Sequence, residues 1–181
     1  MPTTPPPGWS GTDWEALPVQ ERAVQWAAYY ADTVKVREVP SNSGFWVEKF
    51  LAWCGLGGGY AWCAAFVSEC LRDAGWTSFK SAAVWGWHDW AEDRGRIFQN
   101  PVRGSLAFWI KEGSRHIEVV IATEGQWCPT SVHPSGKVPT DYVHTIGGNT
   151  SSGKQGSQND GDGVYRRLRH AHDFSGFIRW W

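Results

Sequence analysis

The stretch GGGYAWCAAFVSECLRDAGW, residues 57–76, sets three glycines ahead of one cysteine and a helical pattern behind it. The reactive form of cysteine is the thiolate, and a free thiol with a pKa of about 8.5 holds little of it at neutral pH. A helix N-terminus favours an anion through its unpaired N–H groups and its dipole. Cys63 at such a start, next to an imidazole, has what a thiol nucleophile needs. The small residues Ala64 and Ala65 let the helix pack closely, and the glycines leave room for a substrate backbone. Core packing remains open for Cys63, because buried cysteines are commonly inert. A disulfide to Cys54 also remains open. One to Cys70 does not, since seven helical residues separate the two by about 10 Å. Cys70 reads as core, and Cys54 and Cys128 as structural.

A thiol nucleophile needs a base. Of the six histidines, His116 opens the segment HIEVVIA just after the turn KEGSR, where a side chain is both rigid and accessible. His88 sits among tryptophans, His133 and His144 lie near loops, and His170 and His172 form an i, i+2 pair with no carboxylate pattern that demands a metal. The segment TIGGNT places Asn149 after two glycines. Its amide can accept an imidazole N–H and fix the tautomer, although Asn after Gly-Gly is also ordinary turn chemistry.

The elements that must position these groups follow from periodicity. Apolar residues at Val24, Ala27, Ala28, Ala31 and Val34 predict a helix over 19–34, with Pro18 in its first turn. Further helices are expected over 45–55, 61–74 and 82–93. After Asn100-Pro101 the pattern changes to short β-branched and aromatic segments: GSLAFWIK, HIEVVIAT, GQWCPTSV, DYVHTIGG, GVYRRLR and GFIRWW. Helices first and strands second predict an α+β fold with an antiparallel sheet. Residues 1–18 read as a Pro/Gly-rich extension, loosely ordered over 1–13, and residues 19–181 as one domain. Residues 149–163, NTSSGKQGSQNDGDG, read as a surface loop between two strands.

Composition narrows the function classes. In 181 residues with 41% hydrophobic content a packed core is expected, and a net charge of −1 argues against nucleic acid as a partner. No apolar run is long enough to span a membrane. The N-terminus has neither the basic nor the apolar region of a secretory signal. Four cysteines are too few for a disulfide scaffold. Fourteen tryptophans supply core area and, for some, a surface on which sugar rings can stack.

The blocks VREVPSNSG, YAWCAAFVSECLRDAGW, GSLAFW with HIEVVIA, TIGGNTSSG and GVYRRLR together resemble the papain-like cysteine peptidoglycan hydrolases of the CHAP and NlpC type, over about residues 35–180. The resemblance implies a papain-like core with N-terminal helices packed on a C-terminal antiparallel sheet. It implies cleavage of cell-wall amide bonds, as an N-acetylmuramoyl-L-alanine amidase or a stem-peptide endopeptidase. Cys63 would be the nucleophile, His116 the base and Asn149 the third polar residue. Many CHAP members carry Glu-Gly-Asn at that last place. Here Gly147 replaces the glutamate, which removes a carboxylate that helps orient the site. Tyr60, Trp62, Glu38 and Asn42 are candidates for substrate contact. GLGGGYA holds no carboxylate, so no calcium is expected before the cysteine, and no cofactor is expected at all. A monomer acting on peptidoglycan at the bacterial cell wall, delivered as a phage lysin, a tail-associated lysin or a secreted effector, is the implied setting. Two other readings stand beside it: a catalytically idle wall- or glycan-binding module, and a thiol amidase or acyltransferase on another substrate.

Overall fold

In a computed structural model that describes residues 4–39, 42–151 and 161–181, the chain is mixed α+β, and five α-helices and one six-stranded antiparallel sheet make up the regular structure of the described residues, with short π- and 3₁₀-helical turns. The helices are α1 (Gly11–Ala16), α2 (Val19–Ala28), α3 (Phe45–Trp53), α4 (Cys63–Asp73) and α5 (Val84–Glu92). The strands are β1 (Ile97–Phe98), β2 (Leu106–Lys111), β3 (Ser114–Ala122), β4 (Tyr142–Thr150), β5 (Gly163–His170) and β6 (Gly176–Ile178), in the order β1-β6-β2-β3-β4-β5. No described helix is long and apolar enough to cross a membrane.

The helical period places an apolar stripe of α2, α4 and α5 on the sheet, and α3 packs on α4. Helix α4 is buried along nearly its whole length, from Cys63 to Leu71, and packs on α2, α3, β3 and β4. Its core neighbours include Phe50, Leu51, Ile117, Val119, Ile121 and Ile146. The alternation of β3 sends Ile117, Val119 and Ile121 into that core, and the opposite parity carries His116, Glu118 and Val120.

Several elements differ from the expectation. Helix α2 ends as α-helix at Ala28 and continues as a π-helical stretch, Tyr29–Val34, closed by Lys35 in the left-handed region (φ 53°). Pro18 is the residue capping α2, one position before its first turn. The N-terminal extension is not loosely ordered throughout. It forms α1, capped by the Ser10 hydroxyl on the Asp13 N–H, and Trp14 is fully buried against Trp9 and Trp26. GQWCPTSV forms no strand: the segment turns repeatedly, and only Trp127 bridges to Lys137. Pro129, Pro134 and Pro139 interrupt any ladder there. Of the segment read as a loop over 149–163, Asn149 and Thr150 belong to β4 and Gly163 opens β5, while residues 152–160 lie outside the described residues.

Candidate functional site

Cys63 is the first residue of α4, after Trp62 at φ −121° and ψ 11°. No side chain caps this helix start, and its first turn holds no acidic residue. The first N–H groups of α4 are therefore available to an external oxygen. Trp62 anchors the start. It is fully buried, and its indole N–H donates to Glu38 Oε2 at 3.0 Å. Strand β4 lies directly against it because residue 148 is glycine: a Cβ there would stand 2.6 Å from Phe66 Cβ and 2.7 Å from Trp62 Cζ3.

His116 comes to Cys63 from β3, fully buried beneath the Trp109 ring, with centroids 4.7 Å apart. Its Nε2 faces Glu118 Oε1 at 3.1 Å. Nδ1 is buried and has no hydrogen-bond partner of standard geometry, which leaves it as the nitrogen available to the Cys63 sulfur. Burial alone would push the imidazolium pKa down. The Cys63 sulfur and then the Glu118 carboxylate outweigh it, and the value is raised to about 9.

The residue that holds His116 is Glu118, and the expectation that Asn149 does so is corrected. Asn149 is buried in a β4 irregularity at φ 51°, with Oδ1 unpartnered, while Glu118 takes the imidazole N–H. Glu118 is itself fully buried and held from several sides. Arg169 Nε and Nη2 donate to its two oxygens at 2.9 and 2.6 Å, and the Thr145 hydroxyl donates at 2.5 Å. Burial opposes its charge, but Arg169 and His116 hold its carboxyl well below the usual range. Arg169 also lies over the Trp109 ring at 5.1 Å, so one indole covers both imidazole and guanidinium.

The glycine at 147 now has a physical reason. A Cβ there would stand 2.7 Å from Glu118 Oε1 and 2.8 Å from Glu118 Cγ. The carboxylate expected to be missing from β4 is supplied by the neighbouring strand and fills the space above Gly147. The site is a Cys63–His116–Glu118 arrangement.

A cavity of about 360 Å³ opens onto the thiol. Its lining includes Cys63, Tyr60, Leu56, Trp85 and Arg115, together with the stretch Ala82–Val84. Of the four candidates for substrate contact, Tyr60 lines it and is 55% exposed. Trp62, Glu38 and Asn42 do not. Trp62 and Glu38 form the hydrogen-bonded pair described above, and the Asn42 carbonyl accepts from the Gly59 N–H at 2.8 Å, which fixes the glycine loop. The far wall is tied to α4 through Ser68, whose hydroxyl donates to the Ser81 carbonyl (2.8 Å) and accepts from the Ser81 N–H (3.0 Å). Gly86 permits this approach, because a Cβ there would overlap the Ser81 hydroxyl.

The remaining cysteines take no part. Cys70 and Cys128 are fully buried, Cys54 is half-buried, and all four are free thiols. His144 is buried in a different cavity beside Arg103 and Arg166, and burial with those cations lowers its pKa to about 4. His170 pairs with the Tyr142 hydroxyl at 2.6 Å. Among the described residues, one group with metal-binding side chains within reach of one another is His88, Asp89 and Glu92 on α5, none of which lines the thiol cavity. No family model, curated protein or solved structure matches the chain.

Proposed function

We propose that the protein is a cysteine-dependent amide hydrolase with a papain-like core and that its substrate is bacterial peptidoglycan. The observation that carries the chemistry is Cys63 at an uncapped helix start, lining a cavity, with His116 held by the buried Glu118–Arg169 pair. The substrate class rests on the resemblance of the chain's sequence blocks to CHAP and NlpC hydrolases.

With the transferable proton of the Cys63–His116 pair on His116 Nδ1, the sulfur attacks the amide carbonyl carbon. The oxyanion is held by the N–H groups at the start of α4. As the C–N bond breaks, His116 returns the proton to the leaving amine, and a thioester remains on Cys63. Water then attacks the thioester and gives its proton to His116. The acyl group departs as a carboxylic acid, and the Cys63–His116 pair is left with its one transferable proton. Glu118 keeps Nε2 protonated throughout, so Nδ1 is the nitrogen that exchanges the proton.

The test is digestion of purified peptidoglycans of several chemotypes by the reduced protein, with fragments identified by mass. Cleavage at the muramoyl–alanine amide or within the stem peptide is the expected result. If the folded, reduced protein releases no fragments but retains binding to the wall polymer, the proposal fails in favour of a binding module. A product carrying a transferred acyl group would instead identify an acyltransferase.

The pH profile is a second expected outcome. His116 carries its proton up to about pH 9, and the reaction needs that proton for the leaving amine. The alkaline limb of kcat/KM is therefore expected near pH 9, belonging to the Cys63–His116 pair. A limb near the ordinary histidine value of 6.5 would show that the pairing does not operate in solution.

A further inference from the structure

The cavity beside Cys63 is apolar except at two places, the Tyr60 phenol and the Arg115 guanidinium. Among the described residues Arg115 and Arg179 differ from most of the other arginines, and Arg179, over the Phe98 ring, lies outside the cavity. Arg103 pairs with Glu21, Arg166 with Asp32, Arg72 with Glu69 and Arg169 with Glu118. Arg94 and Arg96 donate to backbone carbonyls. Arg115 is exposed and has neither a carboxylate partner nor a hydrogen-bond acceptor among the described residues. Its guanidinium carbon lies 5.7 Å from the centroid of the Trp85 ring. An indole fixes the plane of a guanidinium and leaves its N–H edge free, the form that grips a carboxylate with two parallel hydrogen bonds. Arg115 also precedes His116 on β3, so the same strand that carries the base fixes the cation's distance from the reacting thiol.

We infer that Arg115 reads a carboxylate on the substrate, so that the preferred substrate is an acidic peptide amide whose carboxylate lies within about two residues of the scissile bond. This inference rests on the hydrolase reading for the identity of the reaction and on the cavity geometry for the selectivity. The apolar stretch Ala82–Val84 and Leu56 face the carbon skeleton, and Arg115 with its Trp85 platform takes the charge.

The experiment uses two muropeptides that differ only in a carboxylate or a carboxamide on the second stem residue. Turnover is measured with the wild type, Arg115→Lys and Arg115→Gln. Binding is measured calorimetrically with the inactive Cys63→Ala variant, alone and combined with Arg115→Gln. The expected result is a preference for the carboxylate of about 10- to 100-fold in kcat/KM. Arg115→Gln should remove the preference through loss on the acidic substrate alone, and Arg115→Lys should retain part of it. A ratio unchanged by Arg115→Gln, or an equal loss on both substrates, overturns the role of Arg115 and leaves the hydrolase reading standing. Charge-selective binding that Arg115→Gln abolishes, with no turnover by the wild type, supports the Arg115 role and overturns the hydrolase reading. Neither binding nor turnover of either peptide overturns both.

Discussion

Replacing Cys63 with alanine is expected to lower amide cleavage by about 10⁵-fold or more, since removal of a covalent nucleophile takes away the whole acylation route. The fold should survive. Alanine is the best helix former, and Cys63 sits at the first position of α4, where its side chain is 5% exposed. Loss of one partly packed sulfur costs about 1 kcal/mol, or a fall of about 2–4 °C in Tm for a chain of this size. Cys70→Ala and Cys128→Ala serve as controls: both thiols are buried, neither lines the cavity, and turnover should not change. Steady-state release of new amines from peptidoglycan, with circular dichroism on each variant, is the measurement. Residual turnover within a factor of about ten of wild type would remove Cys63 from the mechanism.

Much of this site could be read from residue types and periodicity, and the reason for the part that could not is specific. Cys63 was legible because glycines, a tryptophan and a helical pattern meet at one junction, and the structure places it at a helix start. His116 was legible because it opens a strand after a turn. Glu118 carried an equally direct signal. Residues i and i+2 of a strand share a face, so a histidine and a glutamate in His-Ile-Glu must point the same way. The family resemblance points instead to β4 for a carboxylate and an amide. Whether the imidazole partner comes from its own strand or from the next depends on which side chain fills one small volume. That is a packing fact, visible only when Gly147 and Glu118 are seen in contact. The same holds for Trp62. Its type suggested a stacking platform, but its indole N–H found an internal partner in Glu38. The order in α1 was hidden for a compositional reason: prolines and glycines at 5–8 dominate the reading of a segment whose anchor is one buried residue, Trp14.

Truncating Glu118 to alanine is expected to cost about 3–5 kcal/mol of stability, because it removes the carboxylate that accepts from Arg169, from the buried His116 N–H and from the buried Thr145 hydroxyl. Glu118→Gln keeps the volume and removes the charge, so it is the variant for kinetics. Its kcat/KM should fall by about 10²- to 10⁴-fold, the range for loss of an imidazole-orienting carboxylate. Its alkaline limb should also move from about 9 toward 6.5, since Glu118 is one of the groups that raise His116. The stability profile follows from the signs. Glu118 has a lowered pKa, so its contribution is present above about 4.5 and is lost as pH falls through its folded value. His116 has a raised pKa, so its contribution is full below 6.5 and is lost as pH rises through about 9. Urea unfolding of Glu118→Gln across pH should therefore show a flattened acid side relative to wild type. A swap separates the carboxylate from its position in the chain. Gly147 has no positive φ, and the three atoms nearest its absent Cβ are those of Glu118. In Glu118→Gly with Gly147→Glu the carboxylate should re-enter the same volume from β4 and recover activity well above that of Glu118→Gly alone, while Gly147→Glu by itself should clash and destabilise. If the double variant is no more active than the single, and Asn149→Ala is as damaging as Glu118→Gln, then the group that orients His116 is the asparagine and not the glutamate.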